Sequence, residues 1–189
     1  LPVHQGRAAE NIISNAYIRK GSIVPMNYHF TTAMAHITQY GGKIEELLYD
    51  EAYVINSKHP FKGNMNLEKL EKCINKHGAA NIPYIRMEAS TNLIGGQPFS
   101  MENFRGVRAI ADKYNKPVLF DSARFAENAY FIKMREEGLD MNVDMWSTEA
   151  KAAYADGSVA SVISGGWFGG FLKTDYAPDA SGKWGVAKI

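Results

Sequence analysis

The sequence has a single cysteine, almost no net charge and no long apolar run. One cysteine, Cys73, excludes an internal disulfide framework and a metal site built from several cysteines. It also fits a reducing compartment, so we expect a cytoplasmic protein. Lys and Arg number 21 against 20 for Asp and Glu, which gives no electrostatic reason to bind nucleic acid or an anionic membrane. No apolar run approaches the roughly 18 residues that span a bilayer, so neither partner is expected.

Other common signals are missing as well. The five histidines show no H-x-x-x-H or similar spacing, so no metal site is predicted. No nucleophile elbow, Walker loop or G-x-G-x-x-G is present. The first residue is Leu1 rather than Met, and no signal peptide precedes the first motif, so we interpret the sequence as part of a longer chain. The 189 residues, 46% apolar and 22% charged, are typical of one globular domain or slightly more.

Apolar spacing alternates between helical and strand periods. It predicts helices over about 7–18, 31–40, 66–77, 100–114 and 125–137, and strands over about 23–26, 44–49, 82–87 and 117–120. Ser100 is predicted to cap one helix and Gly78 to end another. Cys73 shares a helix face with Leu70 and Ile74, which indicates core packing. Strands that alternate with helices predict βαβ units and an α/β fold with a mostly parallel sheet.

The composition changes in the last quarter of the chain. All three tryptophans lie after residue 145, and no arginine follows Arg135. We therefore predict two parts, residues 1–138 and residues 139–189. A Gly-rich hairpin and tail of the same domain is the alternative interpretation.

A loop enters the first predicted helix at His4-Gln5-Gly6-Arg7. Free N–H groups and the helix dipole attract an anion at such a place, and an arginine adds a bidentate charge. A turn that binds nothing is the alternative, because most such turns have no ligand.

Other candidate residues follow predicted strands, where open α/β sheets bind ligands. Asp121 and Arg124 stand at the end of one apolar strand, and Asn92 follows another. The alternatives are a helix cap for Asp121, a solvated Arg124 and a turn-forming Asn92. Phe30, ahead of Thr31, is a candidate ring platform or a core residue.

Four segments together resemble a known family, the β-eliminating lyases, which include tryptophanase and tyrosine phenol-lyase. They match in order and spacing: His4–Arg7, Tyr28–Thr32, Asn92–Pro98 and Asp121–Lys133. The resemblance extends over about residues 1–137. It implies part of the large domain of a pyridoxal-phosphate enzyme of the aspartate-aminotransferase fold type. Such enzymes act on small amino-acid substrates and are usually homotetramers.

The resemblance implies that four residues contact the phosphate or the ring face of the cofactor. Gln5, Gly6 and Arg7 would hold the phosphate of pyridoxal 5′-phosphate. Phe30 would stack on its pyridine ring.

The resemblance also implies contacts to the polar atoms of the ring. Asn92 and Arg124 would form hydrogen bonds to the phenolic oxygen. Asp121 would pair with the ring nitrogen. A carboxylate there keeps the nitrogen protonated, so that the ring can accept electrons from the substrate carbanion.

Two features point to different aromatic substrates. The run Asp121–Glu127 is similar to tryptophanase, which converts tryptophan to indole, pyruvate and ammonia. Thr31 stands where tyrosine phenol-lyase has a catalytic threonine, and a helix cap is the alternative role for this residue. We favour tryptophan as the substrate and keep tyrosine as the alternative.

The lysine of the family is missing from its expected place. The family carries its Schiff-base lysine in a Ser-(Ala or Gly)-Lys-Lys-Asp motif soon after a Tyr-Ala-Asp stretch. Here Tyr154–Gly157 is present, but Gly166 occupies the place of the lysine and Lys183 lies too far along the chain. We interpret Lys183 as a solvated residue and expect this chain alone to be inactive.

Residues 139–189 have a different resemblance. The segments Trp146–Gly157 and Ala177–Ala187 are similar to extracellular sugar-binding proteins of transport systems, in which tryptophans stack on sugars. Core packing is the alternative role for these tryptophans. A lyase segment joined to such a tail implies a chimera, and about 50 residues cannot rebuild a two-lobed binding protein, so no transport function is expected.

Overall fold

The computed structural model describes residues 2–139, 147–159 and 168–180. The chain divides into two compact units, Leu1–Leu139 and Asp140–Ile189. Five residues with predicted roles lie outside the described ranges: Trp146, Gly166, Trp167, Lys183 and Trp184. What the sequence predicts for them stays a prediction.

The first unit is an α/β structure. Its strands are β1 (Ile23–Met26), β2 (Lys43–Glu46), β3 (Ile85–Glu88) and β4 (Val118–Asp121). Its α-helices are α1 (Gly6–Tyr17), α2 (Thr31–Gln39), α3 (Leu67–His77), α4 (Met101–Lys113) and α5 (Phe125–Glu136). The strands form one parallel sheet in the order β2-β1-β3-β4. The predicted fold class, a parallel sheet with flanking helices, is confirmed.

The two central strands are buried on both faces, which explains the continuous apolar run of β1 (Ile23–Met26). Every residue of β1 and β3 is buried. One apolar cluster joins the sheet to α1 and α2, and its buried members are Ile18, Val24, Met26, Ile37 and Tyr84. A larger cluster joins the other face to α3 and α4 and includes Ile23, Leu70, Cys73, Ile74, Ile85, Met87 and Val107. Cys73 is therefore a core residue, as predicted.

The ends of the helices follow their capping residues. Ser100 Oγ accepts a hydrogen bond from Asn103 N at 3.0 Å where α4 begins. Asn66 Oδ1 accepts one from Lys69 N at 3.0 Å where α3 begins. Gly78 ends α3 with a φ of +79°, in the left-handed region that favours glycine. The predicted roles of Ser100 and Gly78 are confirmed.

Two strands are shorter than the sequence predicts. β3 begins at Ile85 rather than at Ile82, because Ile82 closes a 3-10 turn. β2 ends before Leu48, short of the predicted Tyr49, because Leu48 forms an antiparallel bridge with Met65 instead. Apolar runs overestimated these strands because buried loop residues have the same apolar character.

The strand order creates a crevice at one edge of the sheet. β2 and β3 lie on opposite sides of β1, and open α/β sheets bind ligands where the chain changes direction in this way. Asn27, which is fully buried directly after β1, bridges the crevice. Its side-chain amide donates to Gly63 O and Glu88 O at 3.0 Å each, and its Oδ1 accepts from Glu88 N at 2.9 Å.

The second unit has a small apolar cluster of its own. It contains α6 (Thr148–Asp156) and α7 (Phe168–Phe171), followed by a π-helical turn at Leu172–Tyr176. Ser147 Oγ caps α6 by accepting from Ala150 N at 3.0 Å. The buried members of the cluster are Ala150, Tyr154, Phe168, Leu172, Tyr176 and Ala177. The separate origin predicted for residues 139–189 stays a prediction.

Within the described ranges, no helix combines the length and apolar character needed to cross a membrane.

Asn27→Ala is expected to lower the free energy of unfolding by about 2–3 kcal/mol, because buried backbone groups of Gly63 and Glu88 lose a hydrogen-bond partner. Urea denaturation of the purified protein measures the change. Asn75→Ala is the matched control, since it removes only an exposed bond to Tyr114, and its effect should stay below about 0.5 kcal/mol. Equal effects of the two variants would contradict the bridging role of Asn27.

Candidate functional site

The candidate site lies where the chain leaves the carboxyl edge of the sheet. Asp121 is the last residue of β4, and Asn92 begins the 3-10 turn that follows β3. Phe30 lies between β1 and α2. Because all four strands are parallel, these positions share one edge although they are far apart in sequence.

Asn92 and Arg124 are in direct contact. Arg124 Nη1 donates to Asn92 Oδ1 at 2.7 Å. The turn begun by Asn92 ends at Gly95, whose φ of +82° lies in the left-handed region. This hydrogen bond joins the loop after β3 to the loop after β4. Arg124 therefore has a protein partner, unlike the solvated residue of the alternative interpretation.

Asp121 is held by a buried arginine. Its Oδ2 accepts from Arg86 Nη2 at 2.5 Å, and its Oδ1 accepts from Ala123 N at 3.1 Å. The bond to Ala123 closes a short turn before α5 begins at Phe125. The side chain of Asp121 is 25% exposed, so part of the carboxylate remains accessible.

Arg86 was not predicted as a site residue, yet it organises this edge. Its side chain is 2% exposed and contacts three carboxylates: Glu88 at 3.2 Å, Asp121 at 2.5 Å and Glu10 at 3.8 Å. A guanidinium stays charged in proteins, so its burial requires such counter-charges. The available signal was the alternation in β3, where Arg86 and Glu88 fall on one face of an otherwise apolar strand.

Glu88 connects Arg86 to the loop that carries Asn92. Its Oε2 accepts from Arg86 Nη1 at 3.2 Å, and its Oε1 accepts from Asn92 N at 3.0 Å. The side chain of Glu88 is almost fully buried, and each of its carboxylate oxygens accepts a hydrogen bond. We call the connected set the edge network; its members are Glu10, Arg86, Glu88, Asn92, Asp121 and Arg124.

Helix α1 directs its first turn toward the same edge. Glu10 lies near Arg86, and Tyr17 packs edge-to-face on Tyr84 with ring centroids 6.1 Å apart. α1 therefore runs antiparallel to β3. No side chain of the described residues caps its N-terminus, and its first turn holds no acidic residue. The helix dipole and the exposed Arg7 make this end positive.

The remaining predicted residues share this edge but are not joined to the edge network. Gln5 is the exposed N-cap residue of α1, and its Nε2 lies 3.2 Å from the His4 ring. Phe30 is half-buried and holds the N-cap position of α2, so Thr31 lies inside the helix rather than at its cap. Among the described residues, no hydrogen bond or ion pair links Gln5, Arg7, Phe30 or Thr31 to the network. A common ligand for all of them stays a prediction.

Arg86→Met is expected to lower the free energy of unfolding by about 3–5 kcal/mol, because it leaves the buried Glu88 and the partly buried Asp121 without their counter-charge. The free energy of unfolding of Arg86→Lys should lie between those of Arg86→Met and the wild type. A lysine keeps the positive charge, but its ammonium cannot reproduce the planar fork of a guanidinium. Arg108→Met is the matched control. It removes an exposed pair with Asp112 and should leave urea denaturation nearly unchanged. Stability of Arg86→Met equal to that of the control would refute the role given to Arg86.

Curated proteins share substantial identity with the chain. It is 46% identical over 176 residues to a probable β-eliminating lyase of Trichomonas vaginalis, covering 92% of this chain and 38% of that protein. It is 40% identical over 173 residues to tyrosine phenol-lyase of Nostoc punctiforme (88% and 37%). It is 39% identical over 173 residues to tryptophanase of Salinibacter ruber (88% and 36%). The chain thus spans well under half the length of these relatives.

Two further comparisons concern the fold and the family. Among solved structures, alanine aminotransferase from Pyrococcus furiosus is similar to 60% of this chain and 26% of its own, with 17% identity and a TM-score of 0.49. A family model described as beta-eliminating lyase matches residues 1–172, which extends beyond residue 137, where the resemblance was expected to end. Because this match covers most of the sequence, the chain belongs to the β-eliminating lyase family.

Proposed function

We propose that the protein containing this chain catalyses the pyridoxal-phosphate-dependent β-elimination of an aromatic amino acid. Family membership supports the reaction class. The observation that carries the proposal is a pair of contacts at one edge: Arg124 to Asn92 at 2.7 Å and Arg86 to Asp121 at 2.5 Å. The first pair suits an anionic oxygen, and the carboxylate of the second suits a protonated nitrogen.

The family implies pyridoxal 5′-phosphate as the cofactor, and the groups at the site fit its phosphate. The uncapped first turn of α1 supplies N–H groups from Gly6 and Arg7 and a positive charge. A Cβ placed on Gly6 would meet no atom within 4 Å, so the approach to this helix end is open. We assign phosphate binding to Gln5, Gly6 and Arg7.

The rest of the site fits the aromatic ring of the same cofactor. We assign the ring nitrogen to Asp121, the phenolic oxygen to Asn92 and Arg124, and one ring face to Phe30. When bound, the cofactor supplies an electron-withdrawing ring that stabilises negative charge on the substrate α-carbon. Asp121 would hold the proton on the ring nitrogen, and its ion pair with Arg86 would keep the carboxylate in place.

Two observations bear on the substrate. The run Asp121–Glu127 supports tryptophan, which we propose as the substrate, with indole, pyruvate and ammonia as products. Thr31 favours the alternative, tyrosine, because it stands where tyrosine phenol-lyase has a catalytic threonine, and the structure leaves this residue exposed at the first position of α2. Release of indole from tryptophan and of phenol from tyrosine, measured on the same preparation, distinguishes the two substrates.

A homotetramer in the cytoplasm is part of this proposal.

Asp121→Asn in the longer protein should lower kcat at least about 100-fold, because an amide cannot hold a positive charge on the ring nitrogen. Pyridoxal phosphate should stay bound, since Arg7 and Arg124 are retained. Indole or phenol release gives kcat, and the cofactor content is measured separately. Asp112→Asn, an exposed carboxylate paired with Arg108, should retain the wild-type kcat. An unchanged kcat for Asp121→Asn with full cofactor content would refute the ring-nitrogen assignment.

The 189-residue chain on its own should release neither indole nor phenol, because Gly166 stands where the family has its lysine. Borohydride treatment with pyridoxal phosphate should attach no cofactor to Lys183, as read by peptide mass spectrometry. Turnover together with cofactor fixed on Lys183 would show that the tail supplies the missing amine.

A further inference from the structure

A second cluster of chemically reactive side chains lies outside the edge network, between β2 and α3. Glu45 belongs to β2, an edge strand of the sheet, and Cys73 and His77 lie one turn apart on α3. Their carboxylate oxygen, sulfur and imidazole nitrogen all lie within 4.8 Å of one another. Three different metal-ligating atoms therefore converge from two elements.

A hydrogen bond already joins two members of this cluster. Glu45 Oε2 lies 2.7 Å from His77 Nε2, and the Cys73 sulfur lies within 4.8 Å of a ligand atom of each. Cys73 is 1% exposed, whereas the side chains of His77 and Glu45 are 24% and 31% exposed. The cluster is closed by the core on the side of the sulfur and is reached from solvent past the other two groups.

The charge of the cluster suits a divalent cation. A thiolate and a carboxylate carry two negative charges, which balance a doubly charged ion beside a neutral imidazole. His77 is also the last residue of α3, at the end of the helix where the dipole carries partial negative charge. Lys76 carries a positive charge that would disfavour a cation here, since its Nζ lies 4.0 Å from Glu45 Oε1. Its side chain is 68% exposed, however, and its flexible stem can turn toward solvent.

The sulfur selects the type of ion. Cys73 offers a buried thiol, whose proton must leave before the sulfur binds a metal as a thiolate. Zn²⁺ and similar ions displace that proton when they bind sulfur. Mg²⁺ and Ca²⁺ prefer sites built only from oxygen.

We propose that Glu45, Cys73 and His77 form a binding site for Zn²⁺, with water as the fourth ligand. Sulfur, nitrogen and oxygen are the three ligand types that Zn²⁺ accepts in tetrahedral sites. The sequence predicted no metal site because the histidines lack paired spacing. Cys73 and His77 have that same spacing with sulfur in place of one nitrogen, and the sheet supplies Glu45.

Cobalt titration of the purified full-length protein tests this site without reference to lyase activity. Tetrahedral Co²⁺ gives visible d–d absorption bands that lie away from pyridoxal phosphate absorbance. We expect these bands to saturate at one Co²⁺ per chain and to disappear when Zn²⁺ is added. Glu45→Gln and His77→Gln should each weaken binding at least about tenfold. Cys73→Ala should abolish the tetrahedral bands.

His59→Gln is the matched control, because His59 is a half-buried histidine that packs on the Tyr49 ring outside the cluster. It should bind Co²⁺ as the wild type does. Glu45→Gln changes only a partly exposed side chain, so it tests the site even if Cys73→Ala fails to fold in circular dichroism. The proposal is overturned if the wild type shows no tetrahedral bands at millimolar Co²⁺, or if Glu45→Gln and His77→Gln both bind as tightly as the wild type.

Discussion

A guanidinium buried inside a sheet needs negative charge around it, and this need organises the carboxyl edge of the first unit. Arg86 is 2% exposed, and a guanidinium carries a positive charge. Its counter-charges come from three elements: Glu88 from β3, Asp121 from β4 and Glu10 from α1. Each of these elements must keep its position if the positive charge of Arg86 is to stay balanced by the carboxylates. Apolar contacts are non-directional. The ion pairs of Arg86 therefore restrict the relative positions of these elements more tightly than the apolar core does.

The loops of the candidate site are attached to this same constraint. Glu88 uses its second oxygen to hold Asn92 N, and Asn92 in turn accepts from Arg124. Asn27 ties the end of β1 to the backbone of Glu88. Asn92 and Arg124 therefore stand on short loops, while the sheet beneath them determines their spacing. Binding sites commonly combine variable loops with a fixed scaffold in this way.

Apolar periodicity and capping residues predicted most elements of the first unit, because both depend on neighbours within one helix or strand. Strand ends were less predictable, since a buried loop residue such as Leu48 resembles a strand residue. Family resemblance named Asn92 and Arg124, but their contact depends on the pairing of β3 with β4. Arg86 was missed because its role also depends on how β3 pairs with β4. Periodicity indicates that one face of a strand is buried, but it does not indicate that Asp121 is the carboxylate beside Arg86.

Asp121 has a structural task and a proposed chemical one, and a single carboxylate can perform both. Its Oδ2 accepts from Arg86, and its Oδ1 accepts from Ala123 N. An ionised carboxylate offers about four acceptor directions, so each oxygen keeps capacity for another donor. A protonated ring nitrogen can therefore bind Asp121 without displacing Arg86. The stability of the sheet edge and the chemistry proposed for it depend on the same ion pair and do not compete for it.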